Sequence, residues 1–312
     1  MPKLIRPPIS EIRSRVYDAA RWRDYKPRAS DIVIATYAKC GTTWMQRIVS
    51  MLVFASAEPR ALWETSLWPD ARFGPPLAEL DAMAEAQTHR RFLKTHLPLT
   101  SLPFYESVKY VHVARDGRDA CMSLHNHLAN FSQLALSVMD DISMNDPLFG
   151  DPFPRAATNP SEFFCDWINN RVIDEHPEFS YFGFEQSYWE ERQRPNVLLV
   201  HYNDLKADRA GEMRRIAKFL DIDIPESLWP ELIEAASFES MKRDGETLLA
   251  MSHDFWDGGP ARFLHKGTNN RWHEVARPED LAAYDAKIKE AFTPELAKWA
   301  ESGRLVAGDP RG

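Results

Sequence analysis

The sequence predicts an α/β fold, a single domain with a central parallel sheet flanked by helices. Short β-branched or aliphatic runs, typical of buried strands, recur at residues 31–36, 91–93, 110–114 and 196–200. Helix-type patterns follow three of these runs, at residues 44–57, 117–129 and 211–220. Apolar strands that alternate with helices are typical of parallel sheets, which bind ligands at the carboxyl ends of their strands.

Length, composition and charge limit the class of protein. The chain has 312 residues, of which 44% are hydrophobic and 27% charged, so it can bury a substantial core, and we expect residues 1–312 to form one domain. The net charge is −8, so no global positive field attracts nucleic acid or an anionic membrane. An anionic ligand therefore needs a local basic cluster.

The sequence contains no pattern of a membrane protein or of a metal protein. No apolar run reaches the roughly 20 residues of a transmembrane helix, and residues 1–28 lack the apolar core of a secretion signal. We therefore expect no membrane span and a cytoplasmic location. Three widely spaced cysteines indicate free thiols rather than a disulfide framework or a zinc site.

The first predicted strand leads into a segment whose groups suit a phosphate. Residues 36–44 read Thr-Tyr-Ala-Lys-Cys-Gly-Thr-Thr-Trp and open the first predicted helix. Gly41 lets a ligand approach the backbone, and the helix start offers free N–H groups. The hydroxyls of Thr42 and Thr43 and the amine of Lys39 point to the same anion. The order differs from a Walker loop, in which the lysine follows the second glycine, so a nucleotide triphosphatase is disfavoured.

This segment resembles the T-Y-P-K-S-G-T-T-W loop of the sulfotransferases that use 3′-phosphoadenosine 5′-phosphosulfate (PAPS) as sulfonate donor. Seven of the nine positions agree, and the departures are Ala38 and Cys40. A thiol at a helix N-terminus favours the thiolate, so a further hypothesis makes Cys40 sensitive to oxidation. The donor-binding residues that the resemblance implies here are Lys39, Cys40, Gly41, Thr42, Thr43 and Trp44.

A second segment, Lys94-Thr-His-Leu-Pro98, matches the K-T-H-L-P segment of the same family. The family's histidine is the general base, so the resemblance implies that His96 removes the acceptor's proton. Imidazole titrates near working pH and can accept a proton without being permanently charged. The resemblance places Lys94 beside the transferring sulfonate, and Lys39 meets the charge of the departing 5′-phosphate.

A third segment contains Arg115 and Ser123, eight residues apart. The same spacing occurs in the family segment that clamps the 3′-phosphate of the donor. A guanidinium offers two parallel N–H donors to phosphate oxygens, and a hydroxyl two helical turns later can face the same group. From the residues alone, a surface ion pair between Arg115 and Asp119 is the alternative.

A fourth segment, Phe263–Trp272, resembles the family's R-K-G-x-x-G-x-W segment. Lys266 and Gly267 match it, whereas His265 stands where arginine is usual and Asn270 replaces the second glycine. The resemblance implies that the matching positions, and His265, contact the donor near its 3′-phosphate.

Aromatic residues complete the predicted site. Tyr202 and Phe238 align with family positions near the adenine, where Trp44 supplies another flat surface. Three stretches of weak periodicity predict loops over the site, at residues 58–87, 132–160 and 242–262. Their aromatic content indicates a phenolic, alcohol or lipid-like hydroxyl acceptor. The side chains expected to roof the pocket are Trp63, Trp68, Phe73, His127, Phe131, Phe255 and Trp256.

The sequence therefore predicts a PAPS-dependent sulfotransferase without a metal ion. Its fold resembles the P-loop nucleotide-binding folds, and its motifs occupy residues from about 30 to 275. Two alternatives stay open, a small-molecule kinase on the same fold and a non-catalytic protein that binds adenosine bisphosphate. The family's dimer-forming segment K-x-x-x-T-V-x-x-x-E is missing after Trp272, so the oligomeric state is open.

Overall fold

The structure, a computed structural model, describes residues 2–172, 179–264 and 266–312. The strands in these ranges are β1 (Leu4–Arg6), β2 (Ile32–Thr36), β3 (Phe92–Thr95), β4 (Phe104–Tyr105), β5 (Lys109–Ala114) and β6 (Val197–His201). Four of them form a parallel sheet in the order β3-β2-β5-β6, and β1 pairs with β4 in antiparallel orientation.

Helices cover both faces of the sheet. The α-helices in the described ranges are α1 (Thr42–Phe54), α2 (Leu62–Thr65), α3 (Leu77–Ala86), α4 (Gly117–Leu128), α5 (Gln133–Met144), α6 (Pro160–Ile168), α7 (Tyr181–Glu190), α8 (Tyr202–Ala207), α9 (Arg209–Phe219), α10 (Trp229–Ala235), α11 (Phe238–Arg243), α12 (Gly245–Leu248), α13 (Gly259–Phe263), α14 (Pro278–Ala291), α15 (Pro294–Ser302) and α16 (Arg304–Ala307). Short 3-10 helices occupy Ala19–Trp22, Leu99–Ser101, Glu226–Leu228, Ala250–Phe255 and Arg271–Glu274. In the part of the chain described, no helix has the length and hydropathy needed to cross a bilayer.

The sheet strands are apolar on both faces because each face packs against helices. Ile32 and Ile34 belong to one buried cluster, together with residues of α1, α9 and α10. Val33 and Ala35 belong to the other, together with residues of α4, α6 and α7. Successive side chains of a strand point to opposite faces, so an unbroken apolar run is the pattern of a strand covered twice. The predicted parallel sheet with flanking helices is confirmed.

The three stretches predicted as loops contain helices, so that prediction is wrong for much of their length. Residues 58–87 include α2 and α3, residues 132–160 include α5, and residues 242–262 include α12 and most of α13. These helices bury only a narrow stripe, which weakens the periodic signal. Of α3, only Leu80 is buried. Of α5, the buried residues are Ala135, Met139 and Ser143.

The sheet brings the predicted motifs to one edge. Neighbouring strands run parallel and in register, with Thr36 beside Val113 and Ala114 beside His201. Segments that follow the carboxyl ends of β2, β3, β5 and β6 therefore lie next to one another. Three of the four predicted motifs, and Tyr202, follow these strand ends.

Candidate active site

The loop between β2 and α1 is held in an unusual backbone conformation. Lys39 has a φ of 69° and Gly41 a φ of 113°, both in the left-handed region. For the lysine this conformation costs of order 1 kcal/mol, and such strain persists where surrounding contacts fix it. A Cβ at position 41 would lie 3.1 Å from the Tyr202 ring, so glycine also allows close packing here. The loop ends at Thr42, where the first N–H groups of α1 lack intrahelical partners.

His96 is oriented as a proton acceptor. Its ring is buried, and Nδ1 lies 2.7 Å from the carbonyl oxygen of Thr36. A carbonyl can only accept, so Nδ1 carries the proton and Nε2 keeps its lone pair. Burial, followed by the charges of Lys94 and Lys39, lowers the pKa of His96 well below its usual range. The imidazole is therefore neutral and can take up a proton at Nε2.

Asp70 links His96 to the indole rings of Trp68 and Trp22. One carboxylate oxygen accepts from the backbone N–H of His96 at 3.1 Å and from the indole of Trp68 at 2.9 Å. The other accepts from the indole of Trp22 at 3.0 Å. The amine of Lys94 lies 3.5 Å from the centre of the Trp68 ring. Asp70 thus fixes the segment that carries both His96 and Lys94.

Burial disfavours the charged forms of the two lysines of the site. Burial lowers the pKa of Lys39 to about 7, helped by the charges of Lys94 and Arg115. Burial also lowers the pKa of Lys94 to about 7. An anion bound between these amines would favour their charged forms. The arrangement is that of a site built for a negatively charged ligand.

Arg115 connects the first loop to the fourth predicted motif. Its guanidinium donates to the carbonyl of Lys39 at 3.2 Å, to the carbonyl of Thr268 at 3.2 Å and to the side chain of Asn269 at 2.9 Å. The group also lies over the Tyr202 ring, 4.4 Å from its centre. Within the described ranges its Nε is buried without a hydrogen-bond partner. Among those same residues Arg115 makes no surface ion pair, and it keeps a donor free for a ligand.

Aromatic side chains surround the same region. The indole of Trp44 donates to the carbonyl of Ala236 at 2.8 Å, and its ring meets Tyr202 edge-on at 5.3 Å between centroids. The ring of Phe238 packs against Gly267, where a Cβ would lie 2.7 Å from a ring carbon. The rings of Trp44, Tyr202 and Phe238 line a cavity at the carboxyl ends of the sheet strands.

We expect Gly267→Ala to weaken about tenfold the binding of 3′-phosphoadenosine 5′-phosphate (PAP), the desulfonated form of the donor that the sequence predicts. Gly267 has a φ of 60° and touches Phe238, so an added methyl group must displace the ring. Calorimetric titration with PAP measures the effect. Gly150→Ala is the matched control because Gly150 has a φ of 73° and open space where its Cβ would lie. Equal affinities of the two variants would contradict the expectation.

A cavity of about 840 Å³ at the strand ends brings most of the predicted residues together. Both predicted sets contribute, the motif residues and the aromatic roof. The predicted motif residues that line it are Lys39, Gly41, Thr42, Thr43, Trp44, Lys94, His96, Arg115, Ser123, Tyr202, Phe238, Lys266 and Gly267. The predicted roof residues that line it are Trp63, Trp68, Phe73, His127, Phe131, Phe255 and Trp256. His265 lies outside the described residues.

Cys40 differs from its prediction. Its side chain is buried and does not line the cavity, and its backbone N–H donates to the carbonyl of Tyr37 at 3.2 Å. Burial raises the pKa of the thiol well above its usual range. The expected thiolate is therefore wrong, because loss of solvation outweighs the helix N-terminus.

Some lining residues were not predicted as site residues. Lys206 and Arg209 add positive charge to the cavity lining, and Lys206 donates to the carbonyl of Gly267 in the fourth motif at 3.1 Å. Asp70 belongs to no motif, and only its contacts identify it. The sequence signal for Lys206 and Arg209 is their position, because both are cationic residues that follow the end of β6.

Throughout the described ranges, no three His, Cys, Asp or Glu side chains are grouped as metal ligands require.

The comparisons with known proteins agree with this geometry. The family model described as the sulfotransferase domain matches residues 29–298. The chain belongs to the sulfotransferase family. It is 31% identical over 309 residues to a glycolipid sulfotransferase of Mycobacterium bovis (strain BCG / Pasteur 1173P2), with 94% of each chain covered. It is 27% identical to human sulfotransferase 1C2, over 80% of this chain and 79% of the relative.

The fold comparison agrees with the family. The sulfotransferase is similar to a solved structure of retinol dehydratase in complex with androsterone and the inactive cofactor PAP, with a TM-score of 0.68 and 23% identity, over 89% of this chain and 87% of that one. The family and the enzyme class predicted from the sequence motifs are confirmed. The chain is a sulfotransferase, and the kinase and non-catalytic alternatives are set aside.

Proposed function

We propose that this sulfotransferase transfers a sulfonate to the hydroxyl of an aromatic or lipid-like acceptor, with His96 as general base. The observation that carries the proposal is the hydrogen bond from His96 Nδ1 to the Thr36 carbonyl. It leaves Nε2 as a proton acceptor in a cavity that Lys39, Lys94 and Arg115 also line. A base near the reacting hydroxyl and cations near the developing anion are the two requirements of this reaction.

The residues present fit the donor. Arg115 has a buried Nε without a partner in the described chain, and the start of α1 offers free N–H groups. When bound, PAPS supplies the sulfonate group and leaves as PAP. We assign the 5′-phosphate end to residues 39–44 and the 3′-phosphate end to Arg115, Ser123, Lys266 and Gly267. Gly267 packs against Phe238, which supports a flat surface for the adenine there.

His96 accepts the hydroxyl proton at Nε2 and holds it while its Nδ1–H stays bound to Thr36. The proton makes the imidazole cationic, and the negative charge of the bound donor offsets that charge. Lys39 and Lys94 act on the sulfonate donor. Their ammonium forms stabilise charge on the sulfonate and on the departing phosphate oxygen. Asp70 holds the backbone of His96 so that the base does not move with the ligand.

The acceptor region is apolar and aromatic. The ring of Phe73 packs against those of Trp68 and Phe255, with centroids 5.1 and 6.0 Å away. The ring of Trp68 also meets His96 edge-on at 5.1 Å, so this wall adjoins the base. Apolar rings favour an acceptor with an aromatic or hydrocarbon body. The relative from Mycobacterium bovis is named as a glycolipid sulfotransferase, which supports an acceptor with a lipid-like body.

The experiment that tests the proposal uses radiolabelled PAPS and a panel of acceptors. Phenols, steroids, flavonoids, long-chain alcohols, glycolipids and free sugars are each incubated with the enzyme, and the label transferred is measured. We expect transfer to compounds with an aromatic or hydrocarbon body and little to free sugars. Transfer to free sugars alone would contradict the proposal.

We expect the affinity for PAP to fall as the pH rises from about 7 to about 9. The pKa of Lys39 and of Lys94 is about 7 without ligand, and a bound anion favours the ammonium forms. Below pH 7 both amines are already charged, whereas above it binding requires proton uptake. Calorimetry in buffers of different ionisation enthalpy measures that uptake. A Lys39→Arg variant should have a shallower pH dependence, and a flat profile for the parent enzyme would contradict the expectation.

We also propose that the described C-terminal helices belong to the same domain as the sheet. The carbonyl of Ala300 in α15 accepts from His201 Nε2 at 3.0 Å, and the backbone N–H of Arg304 donates to Asp204 at 2.7 Å. These contacts support the single domain predicted for residues 1–312. The oligomeric state stays open, and the cytoplasmic location stays a prediction.

A further inference from the structure

His127 brings a polar group into the aromatic part of the cavity. It lies on α4 and lines the cavity together with His96. Its ring contacts Phe131, Trp256 and Phe263, with centroids 5.1, 5.1 and 5.7 Å away. The sulfonate transfer catalysed by His96 and the two lysines does not use this imidazole. An aromatic side chain without nitrogen atoms would pack equally well against these three rings. Packing therefore does not account for the nitrogen atoms of His127.

The hydrogen bond to Lys39 fixes the proton of His127. Nδ1 lies 3.4 Å from the Lys39 amine. An anion bound at Lys39 favours its ammonium form, which can only donate, so Nδ1 accepts in the donor-bound enzyme. Burial, followed by the charges of Lys39 and Lys94, lowers the pKa of His127 well below its usual range, which keeps the ring neutral. A neutral ring that accepts at Nδ1 carries its proton at Nε2.

Nε2–H of His127 makes no hydrogen bond within the described ranges. A donor that lines an apolar part of the cavity gains from a ligand oxygen and loses when an apolar group takes that place. The two histidines therefore offer opposite groups to one ligand, a lone pair at His96 and an N–H at His127. This pair matches an acceptor with two oxygens, one that loses a proton and one that only accepts a hydrogen bond.

We propose that His127 is a specificity-determining residue that donates a hydrogen bond from Nε2 to a second oxygen of the acceptor, such as an ether, carbonyl or further hydroxyl on an aromatic or lipid-like body. The proposal rests on the proposed function, because it assigns the proton-accepting role to His96. It narrows the acceptor class from any apolar alcohol to one with a second oxygen.

The test measures binding rather than turnover. The enzyme saturated with PAP is titrated by calorimetry with 2-, 3- and 4-methoxyphenol and with the matching ethylphenols, which replace the ether oxygen by a methylene group. Three proteins are compared, the parent, His127→Phe and His125→Phe. His125 is the matched control because it lies on the same helix, bonds to the carbonyl of Ala157 at 2.9 Å and does not line the cavity.

For at least one ring position, we expect the parent and His125→Phe to bind the methoxyphenol about five- to tenfold more tightly than the ethylphenol. His127→Phe should bind the two members of that pair equally. A preference that survives in His127→Phe, no preference in the parent, or no binding of either member would overturn the proposal.

Failure of the proposed function has a different signature. In that case the preference for methoxyphenol depends on His127 as expected, but no label passes from PAPS to the compound that binds. The assignment of His127 as a ligand-binding residue would then stand, and the assignment of His96 as the base would not.

Discussion

Replacement of His96 by alanine is expected to reduce kcat by about 100-fold or more, with the affinity for PAP nearly unchanged. The variant removes the lone pair at Nε2 but leaves the lysines, the first loop and Arg115 in place. It also removes the hydrogen bond to Thr36, so its melting temperature has to be measured beside its activity. Initial rates with labelled PAPS and calorimetry with PAP separate the loss of the base from a loss of donor binding.

The control for this variant is His253→Ala. The His253 side chain is 55% exposed, pairs with Asp254 and Glu246, and does not line the cavity. We expect this variant to keep the parental rate. Near-parental turnover of His96→Ala, with normal PAP binding, would end the assignment of His96 as the base.

Replacement of Arg115 by alanine is expected to raise KM for PAPS by about 10- to 100-fold, as the loss of charge-assisted hydrogen bonds predicts. The KM for the acceptor should change far less, because Arg115 bonds to the fourth motif and packs on Tyr202 rather than on the acceptor wall. The hydrogen bond to Lys39 adds to the effect, since its loss loosens the first loop. Steady-state kinetics with each substrate varied in turn measures both constants.

Arg214→Ala is the control for Arg115→Ala. Arg214 forms an exposed ion pair with Glu226 and does not line the cavity, and such exposed pairs contribute little to stability. Its substitution should leave both constants unchanged. Equal rises of the donor and acceptor constants in Arg115→Ala would mean that the 3′-phosphate is bound elsewhere.

The fold and the motifs of the site could be predicted because their signals are local. Residues 32–36 form a nearly unbroken apolar run, and β6 repeats that pattern. His96 and Arg115 directly follow β3 and β5, and parallel strands bring their ends together. The order of residues 36–44 is distinctive enough to predict a phosphate-binding loop from its amino acids alone.

The remaining features depend on contacts between residues far apart in the sequence. Asp70 acts on His96 from 26 residues away, and Lys39 meets His127 across 88 residues. No spacing rule marks such pairs. The burial of Cys40 is similar, because the helix N-terminus is visible in the sequence whereas the packing that raises the pKa of the thiol is not.

The structure of the enzyme in complex with PAP tests the central claim most directly. That claim is that one bisphosphorylated nucleotide is held at both ends, by the loop after β2 and by the segment after β5. We expect the 5′-phosphate to lie within hydrogen-bond distance of the backbone N–H groups of residues 41–43, and the 3′-phosphate to contact Arg115 and Ser123. A nucleotide bound anywhere else, or calorimetry that detects no binding, would contradict the claim.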